Sequence, residues 1–346
     1  MNMQETSNDT RQSGTPDLIN EKSHKPGFKA HVKRRKWFYI GGCATLIVLL
    51  IVLLVVLFTV VPRIARDAVN NATVEVEGIA ITSPSNDRVT VSMKSTVFAK
   101  VPVGGAKLSS QMLETFIPDG NSPVDPPPFM VLPVGELDVK DRISIDLEGL
   151  DTNILNQDLF QQFSTNVLRN EFVSLGIRSN PQPTVNIGAM KILVDFRKTV
   201  TVKGFNMMRG ITITKSTLLD TPLADGTNML SEGNIPNPSD FTMEVGDLTG
   251  NITIGLIPIG FSVIKNLTLR PGDNKVLFNV HVNPLLNILP FITNIIIQQN
   301  VNLLVDINSV VSNGQHVTWL ENPMAAISPL TVVMNPDKPK LPFVPK

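Results

Sequence analysis

The sequence predicts an all-β fold with accessory helices, in which one N-terminal transmembrane helix precedes two tandem antiparallel β-sandwich domains, each with an amphipathic helix. Three observations carry that expectation. Residues 38–61 read FYIGGCATLIVLLIVLLVVLFTVV, without a charge. Most of the chain after them alternates apolar and polar residues over strand lengths, between clusters of Gly, Pro, Asn and Asp. Landmarks of the first half return 132 or 133 residues later in the second. With 346 residues and 42% hydrophobic content, the chain fills two cores of ordinary size.

Residues 1–36 hold eight Lys/Arg against four Asp/Glu, whereas the remainder holds 22 against 26. They show no apolar period, which predicts a disordered basic tail. Positive excess confined to that tail leaves the large part without a nucleic-acid footprint, so no nucleic-acid partner is expected. Residues 37–62 are the expected transmembrane helix, because the 24 uncharged residues run roughly 36 Å at about 1.5 Å per residue. The run is too long, and starts too far into the chain, for the h-region of a signal peptide. Lys29, Lys33, Arg34, Arg35 and Lys36 precede it and only Arg63 and Arg66 follow closely, which puts the N-terminus in the cytosol and the rest in a lumen or outside. On that side Asn71, Asn251 and Asn266 each open an Asn-x-Thr glycosylation acceptor. Trp37 and Tyr39 suit an interfacial belt. Cys43 is the single cysteine, so no intrachain disulfide forms; palmitoylation and an inert thiol both remain open for it.

The first sandwich is expected over residues 64–199 and the second over 200–336. Gly78-Ile79-Ala80-Ile81-Thr82 returns as Gly210-Ile211-Thr212-Ile213-Thr214, and DRISIDL (141–147) aligns with NKVLFNV (274–280). In the same register Leu155, Leu159 and Phe163 fall opposite Ile288, Ile292 and Ile296 at a helical spacing of four. Strands are read in VEVEGIAIT, RVTVSMKSTVF, RISIDLEG and MKILVDFRKTVTVKG, then in GITIT, FTMEVGDL, NITIGLIPIG, LTLRPGDNKVLFNVHV and VNLLVDINSVV. Short strands at this density indicate antiparallel sandwiches. Gly246, Gly250, Gly255 and Gly260 fit neither nucleotide-loop spacing and are followed by strand, so they mark turns, bulges or close backbone approach, with Pro258 at an edge or bulge. Residues 337–346 make a Pro-rich extended tail, prolines 336, 339, 342 and 345 standing three apart.

Chemistry is scarce. The part after the span has two histidines, His281 and His316, no cysteine, and neither H-E-x-x-H nor G-x-S-x-G. No enzyme, metal or cofactor is expected. The pairs Glu75/Glu77 and Asp138/Asp141 read as solvated faces. What remains is apolar: Leu155, Leu159, Phe160 and Phe163, with Val167, on one helical face, and Leu285, Leu289, Ile292 and Ile296 in a segment over 284–297 that is apolar almost all round and too short to span. Core packing is the plainer reading of both. A groove for lipid tails is the sharper one.

Asn237-Pro238-Ser239-Asp240-Phe241-Thr242-Met243, the strand NITIGLIPIG, the turn Leu269-Arg270-Pro271-Gly272-Asp273-Asn274 and the strand KVLFNVHV resemble the type-two late-embryogenesis-abundant domain. The layout of basic tail, one span and two such domains resembles a fungal family of vacuolar-membrane proteins, over about residues 30–336. The first copy departs, with Ser83-Pro84-Ser85-Asn86-Asp87 where Asn-Pro-Ser-x-Phe would stand. The resemblance implies lipid held between sandwich and helix, and a vacuole membrane; another endomembrane or the plasma membrane is the alternative. The expected function is thus a non-catalytic single-pass membrane protein whose lumenal sandwiches bind or transfer membrane lipid. The competing reading is a structural or adaptor protein with a lumenal or cytosolic protein partner.

Overall fold

The computed structural model describes residues 47–99, 106–120, 125–283 and 301–334. The two expected tails and the apolar segment carrying Leu285, Leu289, Ile292 and Ile296 lie outside the described residues. The chain divides between Val60 and Val61 into two units. A helix over Ile47–Val69 has a mean hydropathy of 3.0 and none of its apolar window buried, and is long and apolar enough to cross a membrane. Its last turns, Val61–Asn70 (α1), belong to the second unit.

The second unit is mostly β, and alternation becomes burial directly. Strand β2 (Arg88–Phe98) buries Val89, Val91 and Met93 while Arg88 and Lys94 stay in solvent. With β1 (Thr73–Thr82) and β7 (Arg142–Asn153) it pairs in the order β1-β2-β7. A second sheet runs β11-β8-β4-β5, from β4 (Gln111–Phe116), β5 (Met130–Val134), β8 (Phe172–Ser179) and β11 (Arg197–Lys203). Ile79, Val91 and Met93 of the one pack with Leu113, Leu132 and Ile177 of the other in one hydrophobic core. A third, small sheet has the order β10-β9-β3-β6, from β3 (Ala106–Leu108), β6 (Leu137–Val139), β9 (Thr184–Ile187) and β10 (Met190–Leu193).

The remaining strands are β12 (Ile211–Leu218), β13 (Met229–Asn237), β14 (Phe241–Ile254), β15 (Ile257–Leu269), β16 (Gly272–Val282), β17 (Val301–Ser312), the short β18 (Gln315–His316) and β19 (Leu330–Met334). Here the pairing closes on itself, β19-β12-β13-β16-β15-β14-β17 and back to β19, so this half is a barrel rather than an open sandwich. Neighbour order nevertheless repeats. β1-β2-β7 corresponds to β12-β13-β16, and β11-β8-β4-β5 to β19-β17-β14-β15. The echoed segments GIAIT and GITIT fall on β1 and β12, and DRISIDL and NKVLFNV on β7 and β16.

Two pairings depart from the expected all-antiparallel pattern. β1 joins β14 in parallel at Ile79↔Phe241, and β12 joins β19 in parallel at Ile211↔Val332. Residues 199 and 200 both lie inside β11, and one apolar core runs through both halves.

The Asn-Pro-Ser motif acts locally. The buried Asn237 accepts from the Ser239 backbone N–H at 2.9 Å and donates to the Phe241 carbonyl at 2.7 Å, fixing the start of β14. Asp240 then ties that start to its neighbours, its carbonyl accepting from Ile79 N–H at 3.0 Å and its N–H donating to the Lys203 carbonyl. In the second motif Asn274 closes the turn from β15 to β16 by accepting from Arg270 N–H at 2.8 Å. Close approach explains two of the spaced glycines. A Cβ on Gly246, which has φ +86, would stand 2.4 Å from the Val311 carbonyl oxygen, and one on Gly260 would stand 1.7 Å from that of His281. Pro258 sits beside a register irregularity of β14 and β15, as expected of a bulge position.

Candidate functional site

The expected lipid-binding face of the first half becomes helix α2 (Gln157–Arg169). Asn156 caps it, its side chain accepting from Leu159 N–H at 3.0 Å. Leu155 therefore precedes the helix and is 57% exposed, off the face on which the spacing placed it. Leu159 is half-buried, whereas Phe160 and Phe163 are buried together with Val167 and Leu168. Phe163 stacks on Phe129 at 5.0 Å between ring centroids, and Phe160 meets Trp319 at 4.6 Å. Trp319 belongs to α3 (Thr318–Ala326), a helix absent from the sequence expectations, which lies against α2. A cavity of only about 30 Å³ remains beside Phe160 and Phe163. That is about the share of one water molecule, far below the roughly 300–1,000 Å³ of an ordinary ligand pocket. The face of α2 is core.

Larger apolar space lies under α1. Val61, Ile64, Ala65, Ala68 and Val69 recur at the one-face spacing of a helix, with Arg63, Arg66 and Asp67 exposed on the other side. The stripe faces the small sheet and the end of β2, where Ala99, Ala106, Val139 and Val185 complete the wall. Alanines on both sides are too short to meet, and a cavity of about 90 Å³ lined by apolar side chains is left. Ala65 and Ala106 are themselves buried, in a hydrophobic cluster separate from the main core. The signal was legible in PRIARDAV, whose apolar positions follow helical period beyond the expected end of the span. Inside the barrel a further cavity of about 40 Å³ is apolar except for Ser231 and Ser262.

The polar groups support structure. His281 hydrogen-bonds the Gly226 carbonyl through Nδ1 at 2.6 Å and stacks on Phe261 at 5.0 Å; His316 contacts Glu321 at 2.8 Å. Arg178 and Arg197 stand opposite one another on β8 and β11, each 5.2 Å from the ring of Phe116. Asp125 pairs with Arg197, whose hydrogen bond and charge hold its carboxyl below the usual carboxylate range, and Glu114 accepts from Arg178 Nε at 2.6 Å. This network neutralises two arginines that would otherwise repel across the strands. Among the described residues no three His, Cys, Asp or Glu side chains converge to hold a metal ion. Asn71, Asn251 and Asn266 are all exposed.

Residues 127–252, just over a third of the chain, match the model of a family described as a protein of unknown function, DUF3712. The match starts just before β5 and ends within β14, so it crosses from the first set of strands into the second. No curated protein matches the chain. Among solved structures, the one described as the crystal structure of CBD12 from CALX1.2 is similar at 12% identity and a TM-score of 0.22, over 75% of this chain and 95% of that one. A likeness at that score bears on neither fold in detail nor function.

Proposed function

We propose that this chain is a non-catalytic, single-span membrane protein whose two related β-rich halves are lumenal and bind membrane lipid, with the cavity under α1 receiving part of an acyl chain. One observation carries the reading: the apolar cavity of about 90 Å³ is roofed by α1, the direct continuation of a helix apolar enough to span. An acyl chain leaving the bilayer at the end of that helix would meet an apolar wall with room for a few methylenes, and each buried methylene contributes about 0.8 kcal/mol. The rest of the lipid would stay in the bilayer, since the space is smaller than a whole-ligand pocket. The basic flank before the span supports a cytosolic N-terminus. The repeated neighbour order and echoed strands support a duplication, and the vacuole membrane follows from the family resemblance alone. The lipid site moves from the face of α2, which is already covered, to α1.

The test is photo-crosslinking. The full chain is reconstituted with phospholipid bearing a diazirine near the acyl terminus, irradiated and mapped by mass spectrometry. Adducts are expected on α1, β3 and β9 as well as on the span, and Ala106→Leu should remove the former while sparing the latter. Wild-type adducts confined to the span would overturn the lipid site and leave the adaptor reading.

A further inference from the structure

The tip of the hairpin joining β14 to β15 is Gly255-Leu256-Ile257-Pro258, with all four residues exposed. Leu256 is 99% exposed and Ile257 44%. A turn at this place is made as well by Asn, Asp or Gly, so the fold itself does not call for a leucine wholly in water. The first charged residues down the two arms are Asp247 and Lys265, which pair with each other at 3.0 Å. Beyond them, residues 248–264 carry no Asp, Glu, Lys, Arg or His. Beside the tip the end of β16, residues 276–283, adds no Asp, Glu, Lys or Arg, β17 adds only Asp306, opposite Asn251, and the loop from β12 to β13 adds Asp220 and Asp225.

Strand direction places this tip. β1 leaves α1 at Thr73 and reaches Ile79, which pairs in parallel with Phe241, and β14 continues in the same sense to Ile254. At about 3.3 Å per residue that is roughly 60 Å of strand path from the α1 junction. The end of α1 and the apolar tip thus stand at opposite ends of one strand path.

We propose that Leu256 and Ile257 insert into the surface of a second bilayer, apposed to the one that holds the span. The inference rests on the membrane reading of the Ile47–Val69 helix but not on the α1 cavity. A lipid surface fits better than a protein partner because protein interfaces ring an apolar centre with a polar rim that includes charges, and this hairpin carries no charge for eight residues on either arm. Entry into the boundary between headgroups and acyl chains favours such a charge-free, apolar element. The charges on the neighbouring loop and strand, Asp220, Asp225 and Asp306, are all acidic, so insertion is driven by apolar burial and takes place on neutral phosphatidylcholine, without the salt sensitivity of a basic patch. Each tip binds weakly, and several anchored copies hold two vesicles together through avidity.

The test uses the full chain as Cys43→Ser with Leu256→Cys, carrying an environment-sensitive fluorophore, reconstituted in phosphatidylcholine vesicles with the β-rich unit outward. Protein-free phosphatidylcholine vesicles with nitroxide-labelled acyl chains are then added. Quenching several-fold above that of a label at Lys275→Cys, an exposed position at the start of β16, is expected together with vesicle clustering. Leu256→Asp should abolish clustering and leave the melting temperature unchanged, since that side chain is in solvent. Quenching only by nitroxide lipid placed in the protein's own vesicles would overturn the proposal. So would lipid-independent disulfide crosslinking between two unlabelled Leu256→Cys chains, which would mean a second copy, or an unquenched label with polar emission. Loss of α1 crosslinking with intact clustering would remove the cavity reading alone.

Discussion

Asn237 is 1% exposed and commits both ends of its amide to the turn before β14. Truncation to Ala would take the acceptor from the buried Ser239 N–H and leave the Phe241 carbonyl only the longer 3.4 Å bond from Ser239 Oγ, and each buried unmet group costs about 1–3 kcal/mol. Asn237→Ala should therefore destabilise by about 2–4 kcal/mol, read as a lower urea midpoint with an unchanged slope. At this scale the sequence was informative where a residue's role is local. Asn-Pro-Ser and Pro-Gly-Asp-Asn announce turns because their side chains bond backbone within five residues. Leu155 is misplaced for a related reason: Asn156 caps the helix by accepting the Leu159 N–H, so the helix begins two residues too late to include it. The spaced glycines could be read as sheet glycines, but not which backbone approaches each, because Val311 and His281 are brought near only by strand pairing.

At the level of elements, α2 is held by aromatic packing and not by its cap alone. Phe160 has no exposed surface and touches both the sheets' core and Trp319 of α3. Phe160→Ala is expected to cost about 3–5 kcal/mol. In differential scanning calorimetry of the detergent-solubilised chain this would appear as a lowered transition. A lipid-lining residue would instead lose bound lipid and little stability. Alternation located β1, β2, β7 and β17 well, and the spacing of four located α2, because each pattern repeats several times within its element. α3 escaped notice since it has nine residues and an internal Pro323, too few turns to establish a period. α1 was hidden by its continuity with the apolar run, which made the span seem to end where the chain only changes from all-round apolar to one-faced.

Across the whole molecule, the echoed strands were legible in the sequence, while the closure of the second half into a barrel and the two parallel pairings were not. Alternation says which face of a strand is buried and nothing about its neighbour. That difference has an energetic consequence. One core cluster crosses the halves, β1 borrows β14 as its neighbour, and Asp240 bonds backbone on both sides of the junction. The second unit should therefore unfold in a single transition, with calorimetric and van't Hoff enthalpies equal, and not in the two steps of independent domains. Asp240→Ala, which removes the carboxylate that accepts from Lys203 N–H at 3.0 Å across the same junction, should lower that transition without splitting it.

The parallel contact of β1 with β14 also has a mechanical meaning. A pull applied between α1 and Leu256 runs lengthwise along both strands, so Ile79, Ala80 and Ile81 are loaded in shear against Phe241, Thr242 and Met243. Bonds arranged that way share the load and yield together, whereas a hairpin peeled from its end gives way one rung at a time. The short overlap of these two strands is thus a clutch that takes up, in shear, part of any tension between α1 and the hairpin tip.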